Sequence, residues 1–101
     1  CPPCRREMPA LAQAEQDYPQ VQFVLVNQGE DANQIKAFLQ QHQMNFKHIL
    51  LDPQGLTATK TGMFGLPSTL FFDADGRLVD THMGELTHAA LKQKIHNITA
   101  Q

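Results

Sequence analysis

The chain has 101 residues, 42% of them hydrophobic and 18% charged, with a formal net charge of −2 at pH 7. That is the composition of one globular domain. It excludes a low-complexity tail and a repeat array, and so weak a charge gives no basic footprint for nucleic acid. No apolar run approaches the roughly 18 residues of a membrane span.

The chain opens on Cys1-Pro2-Pro3-Cys4-Arg5-Arg6-Glu7-Met8-Pro9, which holds both of its cysteines and reads as the start of a helix. Each proline pushes the residue before it out of the α region, so helical dihedrals are expected to begin near Pro3, with Cys1 just ahead of the helix. One helical turn brings the Cα atoms of Cys1 and Cys4 to roughly the 4.4–6.8 Å that a disulfide needs. At the helix start, unpaired N–H groups and the positive end of the dipole favour a thiolate on Cys1, which is the expected nucleophile. Cys4, one turn further in, is the expected resolving thiol, more buried and placed to attack a mixed disulfide on Cys1. Arg5 and Arg6 add positive charge nearby. Glu7, three residues after Cys4 on the same helix face, is a candidate for tuning a thiol pKa or accepting a proton. Pro9 removes one helical hydrogen bond and is expected to kink the helix one turn beyond the cysteines.

From Cys4 to about Asp17, Met8, Leu11, Ala12 and Ala14 give an amphipathic helix that stops before Pro19. Val21, Phe23, Val24, Leu25 and Val26 form a nearly continuous apolar run, the pattern of a parallel strand covered on both faces. Ile35, Phe38, Leu39 and His42 space out a second helix over about 31–43, after a loop that includes Glu30. Ile49–Leu51 is a short apolar piece ended by the turn Asp52-Pro53-Gln54-Gly55, and a short helix or turn follows over 56–61. Gly65-Leu66-Pro67-Ser68-Thr69 leads into Leu70, Phe71 and Phe72, and a hairpin through Asp73–Gly76 returns along 77–83, giving two antiparallel strands. Thr87 is the expected N-cap of a last helix, with Leu91, Ile95 and Ile98 on the side that closes one face of the sheet.

The Cys-Pro-Pro-Cys-Arg-Arg-Glu-Met-Pro stretch resembles the thioredoxin superfamily, and within it the TlpA/ResA/DsbE branch of bacterial extracytoplasmic thiol-disulfide proteins. Val26-Asn27-Gln28-Gly29-Glu30 resembles the strand-to-helix junction of the same group, and Gly65 to Asp73 resembles its Leu-Pro hairpin. The resemblance implies an α/β, thioredoxin-like fold with a central mixed β-sheet flanked by helices. It implies that Pro67 is cis and faces the cysteines, that Pro2, Pro3, Leu66 and Pro67 contact substrate, and that Glu30 lies near the site. A cis proline at a strand start leaves the Leu66 backbone free to pair with an extended substrate segment. The implied activity is protein-disulfide oxidoreduction by the dithiol, without bound cofactor. Oxidised extracytoplasmic proteins, including the apocytochrome c CxxCH type, would be the substrates, a membrane thiol-reducing protein the donor, and the periplasm or another extracytoplasmic setting the compartment, with any export signal or membrane anchor in a segment upstream. In this family the central strand precedes the CxxC and ends in tryptophan. Here neither is present, so residues upstream, or a neighbouring chain, are expected to supply that strand. The Val21 and Leu70 strands are then expected to flank a gap, and an isolated 1–101 chain to be poorly stable.

Other readings of the two thiols remain open at this level. A zinc site needs four ligands, and neither a second CxxC nor an HxxxH-type pair is present. A purely structural disulfide over so short a loop constrains the unfolded chain little. Lipidation of Cys1 would consume the nucleophile. A Sco-type copper chaperone on the same fold spaces its cysteines CxxxC, and none of His42, His48, His82, His88 and His96 lies in the loop before Pro67. A peroxidase lacks its upstream Pro/Thr context here. A binding module that merely keeps the fold would leave the two thiols unexplained.

Overall fold

Two prolines start the first helix of the computed structural model, which describes residues 1–100. Helix α1 spans Pro2–Asp17, with Cys1 as N-cap. The Arg5 N–H donates to the Cys1 carbonyl at 3.2 Å and closes the first turn over both prolines. The helix therefore begins one residue earlier than the proline pattern predicts. Neither proline has an N–H to leave unpaired, which is why this position suits them. The helix continues through Pro9 to its end.

Strand β1 (Leu25–Asn27) follows, then α2 (Ala32–Gln41), β2 (Ile49–Leu51), α3 (Leu56–Thr61), β3 (Ser68–Phe72), β4 (Leu78–Met83) and α4 (His88–Thr99). The first strand is shorter than the apolar run from Val21 to Val26 suggests. It pairs with β2 in parallel, Leu25 opposite Ile49 and Asn27 opposite Leu51, so the ladder ends where the three residues of β2 end. Val21 and Phe23 leave the ladder and pack on the core instead. Nor is the run covered on both faces, since Val24 is 48% and Val26 40% exposed. The second helix also stops short of its periodic pattern. His42 caps it, and Gln43 turns the chain away with a φ of 54°. Its start is a capping box in which Asp31 and Gln34 satisfy each other's backbone N–H groups.

Strands β3 and β4 pair antiparallel, from Ser68 opposite Met83 to Phe71 opposite Asp80, with an irregularity between Phe71 and Phe72. The strands thus form a parallel pair, β1 with β2, and an antiparallel pair, β3 with β4, that do not hydrogen-bond to each other. The core lies where α1 and α4 cover β3. Ala14, Phe71, Leu86, Leu91 and Ile95 are buried together, with Tyr18, Val21, Phe23 and Ile98 packed around them. Each fully buried aliphatic side chain there contributes about 1.5–3 kcal/mol. Thr87 accepts the Ala90 N–H at 3.1 Å and caps α4, as its sequence position predicts.

Candidate active site at the start of the first helix

Cys1 and Cys4 form a disulfide with Cα atoms 5.3 Å apart. Cys1 is exposed and Cys4 half-buried. Among the first three helical residues, Pro2 and Pro3 carry no N–H, so the N–H of Cys4 is the one donor that an N-cap side chain can reach. No side chain caps it, and no acid stands in the first turn. At a helix N-cap, hydrogen bonding and the helix dipole both favour a thiolate over a thiol.

The next three residues anchor this turn on separate parts of the fold. The Arg5 guanidinium lies 5.5 Å from the centroid of the Phe38 ring on α2, and Phe38 in turn stacks at a tilt on His42. Arg6 donates from Nε to Glu85 Oε1 at 3.0 Å, and its second nitrogen lies 2.9 Å from the same oxygen. Glu7 is 4% exposed and accepts the buried Leu86 N–H at 2.6 Å. Burial pushes the Glu7 carboxyl above its ordinary value and the nearby Glu85 charge adds to that, while the Leu86 hydrogen bond and the His82 charge pull it back. Glu7 therefore pins the helix start to the segment before α4, through a residue 79 positions away.

That segment also holds the proline loop. The Leu66–Pro67 peptide bond is cis, and the Pro67 carbonyl accepts the Gly84 N–H at 2.8 Å. Ser68 Oγ donates to the Gly65 carbonyl. Residues 84–86 thus grip Pro67 on one side and the cysteine-bearing helix on the other. Pro67 is buried, whereas Leu66 is 48% and Phe64 71% exposed. Pro2 is exposed and Pro3 half-buried on the outer turn of α1. Glu30 is exposed and its polar contacts are local. Its N–H donates to Asn27 Oδ1 at 3.1 Å, and its carboxylate accepts from Asn27 Nδ2 at 3.2 Å. Among the described residues, no three His, Cys, Asp or Glu side chains are grouped to hold a metal ion.

Sequence spacing places Cys1, Cys4 and Glu7 together because they share one helix. It gives no hint of Phe38, Glu85 or Leu86, whose roles depend on elements that meet only after folding. A buried acid within a helix start is the one signal that a distant donor must exist.

Residues 1–81 match the AhpC/TSA family. The chain belongs to that family. Among the relatives of this AhpC/TSA member is the thioredoxin-like protein YneN of Bacillus subtilis, 32% identical over 101 residues, a match covering 94% of this chain and 57% of YneN. Another is a thiol:disulfide interchange protein DsbE homolog of Paracoccus denitrificans, 35% identical over 86 residues, covering 85% of this chain and 46% of the homolog. The chain thus spans about half the length of these curated relatives. Among solved structures, a putative thiol:disulfide interchange protein DsbE from Chlorobium tepidum superposes with a TM-score of 0.83 at 28% identity, covering 97% of this chain and 72% of that one. The likeness extends beyond the cysteine motif to the whole α/β arrangement, and the family member has a thioredoxin-like fold.

Proposed function

We propose that the domain is a protein-disulfide oxidoreductase that works through the Cys1/Cys4 dithiol and reduces extracytoplasmic disulfides, in the manner of cytochrome c maturation. The observation that carries this is the bridged cysteine pair at a helix start, with Cys1 exposed and Cys4 half-buried one turn further in. The thiol:disulfide interchange relatives support it. In the reductive direction the Cys1 thiolate attacks one sulfur of a substrate disulfide. A Cys1–substrate bond forms and the other substrate sulfur leaves as thiolate. Cys4, as thiolate, then attacks the Cys1 sulfur. The Cys1–Cys4 bond forms and the second substrate sulfur leaves. Two electrons have passed to the substrate, and a thiol-reducing donor protein in the membrane returns them. Leu66, exposed beside the buried cis Pro67, offers backbone groups to an extended substrate, with Pro2 and Pro3 forming the opposite rim. Glu7 tunes the thiols from behind, and Glu30 lies at the outer margin. No helix among the described residues is long and apolar enough to cross a membrane. A periplasmic setting, with any anchor elsewhere in the protein, suits this role.

Equilibration of Cys1 and Cys4 with a glutathione buffer tests the assignment. A strongly reducing couple supports the reductase, an oxidising couple makes the domain a disulfide donor, and the lack of any reversible couple removes the enzyme. Cys4→Ser is expected to accumulate a mixed disulfide on Cys1, whereas Cys1→Ser forms none.

A further inference from the structure

Two arginines follow the cysteines, and the fold treats them differently. Arg6 is neutralised by Glu85. Arg5 is exposed and, among the described residues, has no carboxylate within ion-pair distance; its guanidinium is held instead over the face of Phe38. An aromatic face steadies a cation without cancelling its charge. The Arg5 N–H bonds to the Cys1 carbonyl, so Arg5 stands one helical turn beyond the exposed Cys1, on the same side of α1. Glu7, the nearest acid in sequence, is buried with its carboxylate on the Leu86 N–H.

We infer that Arg5, steadied by Phe38, is a specificity-determining residue that selects disulfides whose cysteine is flanked by a carboxylate. This rests on the oxidoreductase reading above and names a substrate class for it. The fixed cation meets an acidic side chain next to the substrate cysteine while Cys1 makes its attack. Phe38 acts as a positioning residue through Arg5, sparing the cation the rotamer freedom it would otherwise lose on binding. The field of the whole molecule points the other way, because the chain carries a net charge of −2. A preference for acidic substrates therefore needs a local cation. At about 6 Å in water, one such contact changes a rate about threefold, so exchanging an acidic for a basic flank changes it about tenfold at low salt.

The test uses three synthetic disulfide peptides that differ only in Glu, Gln or Lys beside the cysteine. Their single-turnover rates with the reduced protein are divided by the rates of the same peptides with a small neutral dithiol, which removes the intrinsic effect of the flank on the thiol. The expected order is Glu, Gln, Lys, with a Glu-to-Lys ratio of about ten at 0.01 M salt that falls toward one at high salt. Arg5→Gln is expected to abolish the ratio and Arg5→Lys to keep most of it. Phe38→Leu should reduce the ratio and Phe38→Tyr preserve it. Since only ratios are read, a general loss of rate in a variant does not obscure the result. Equal rates for all three peptides overturn the inference and leave the oxidoreductase assignment standing, as does a ratio that survives Arg5→Gln. A Phe38→Leu protein with the wild-type ratio removes Phe38 from the account. If no peptide is reduced at all, the assignment itself fails.

Discussion

Replacing Glu7 separates its two jobs, accepting a hydrogen bond and carrying a charge. In Glu7→Ala the Leu86 N–H, 2.6 Å from the carboxylate in the wild type, loses its acceptor. Leu86 is only 2% exposed, so water does not readily take over. An unsatisfied buried donor costs about 1–3 kcal/mol. Taking about 2 kcal/mol, the Tm of a domain this size falls by about 8–16 °C. Glu7→Gln keeps an acceptor oxygen and removes the charge. Because burial raises the Glu7 pKa in the folded state, its contribution is complete below the ordinary value of 4.5 and is lost as pH rises through the raised value. The stability of Glu7→Gln relative to wild type should therefore improve with pH across that window, and at neutral pH it should lose much less than Glu7→Ala. Denaturant melts of the three proteins at several pH values measure both effects. The reasoning is refuted if Glu7→Ala costs under about 0.5 kcal/mol, below the range for a stranded donor, if Gln is as damaging as Ala, or if the Gln-minus-wild-type difference falls with rising pH.

The core is small, so single deletions there weigh heavily. Leu91, 1% exposed between α1 and β3, should lose about 2–5 kcal/mol as Ala, and Ile95→Val about 0.5–1.5 kcal/mol, by urea melts. Asp52 accepts the Leu56 and Thr57 N–H groups at 2.9 and 2.8 Å, and these bonds, Thr57 foremost, hold its carboxyl below the ordinary range. Its stabilisation is present above the usual aspartate range and is lost as pH falls through the depressed value. Asp52→Asn should therefore flatten the acid limb of the stability curve and weaken amide protection at Leu56 and Thr57. A Cβ added at Gly65 would stand 3.1 Å from the Met83 Cγ and Sδ atoms. Gly65→Ala should displace the Met83 side chain, seen as a shift of its methyl resonance, and Met83→Ala should relieve the crowding.

Much of the site was legible before any coordinates, because a CxxC on a helix is a local object. Three residues of spacing fix the Cα distance, and the order of proline and cysteine fixes which sulfur stands at the helix end. The caps at Asp31 and Thr87 are local in the same sense. The strand around Val21–Val26 was less readable. Its apolar run reports burial but not pairing, and the length of its ladder was set by the three residues of β2, reached only after a helix and a loop. The burial expected on both of its faces is not reached, since Val24 and Val26 stay largely exposed.

What the sequence determined by itself is the pair of sulfurs, the helix that presents them and the succession of helices and strands, all written in contacts of four residues or fewer. Folding alone decided the environment of that helix. Glu7 meets Leu86, Arg6 meets Glu85, Arg5 meets Phe38, and Pro67 joins the same segment through Gly84. A charge alters a neighbour through distance in space, and a chain that returns after 79 residues leaves no periodic trace of where it will come to rest.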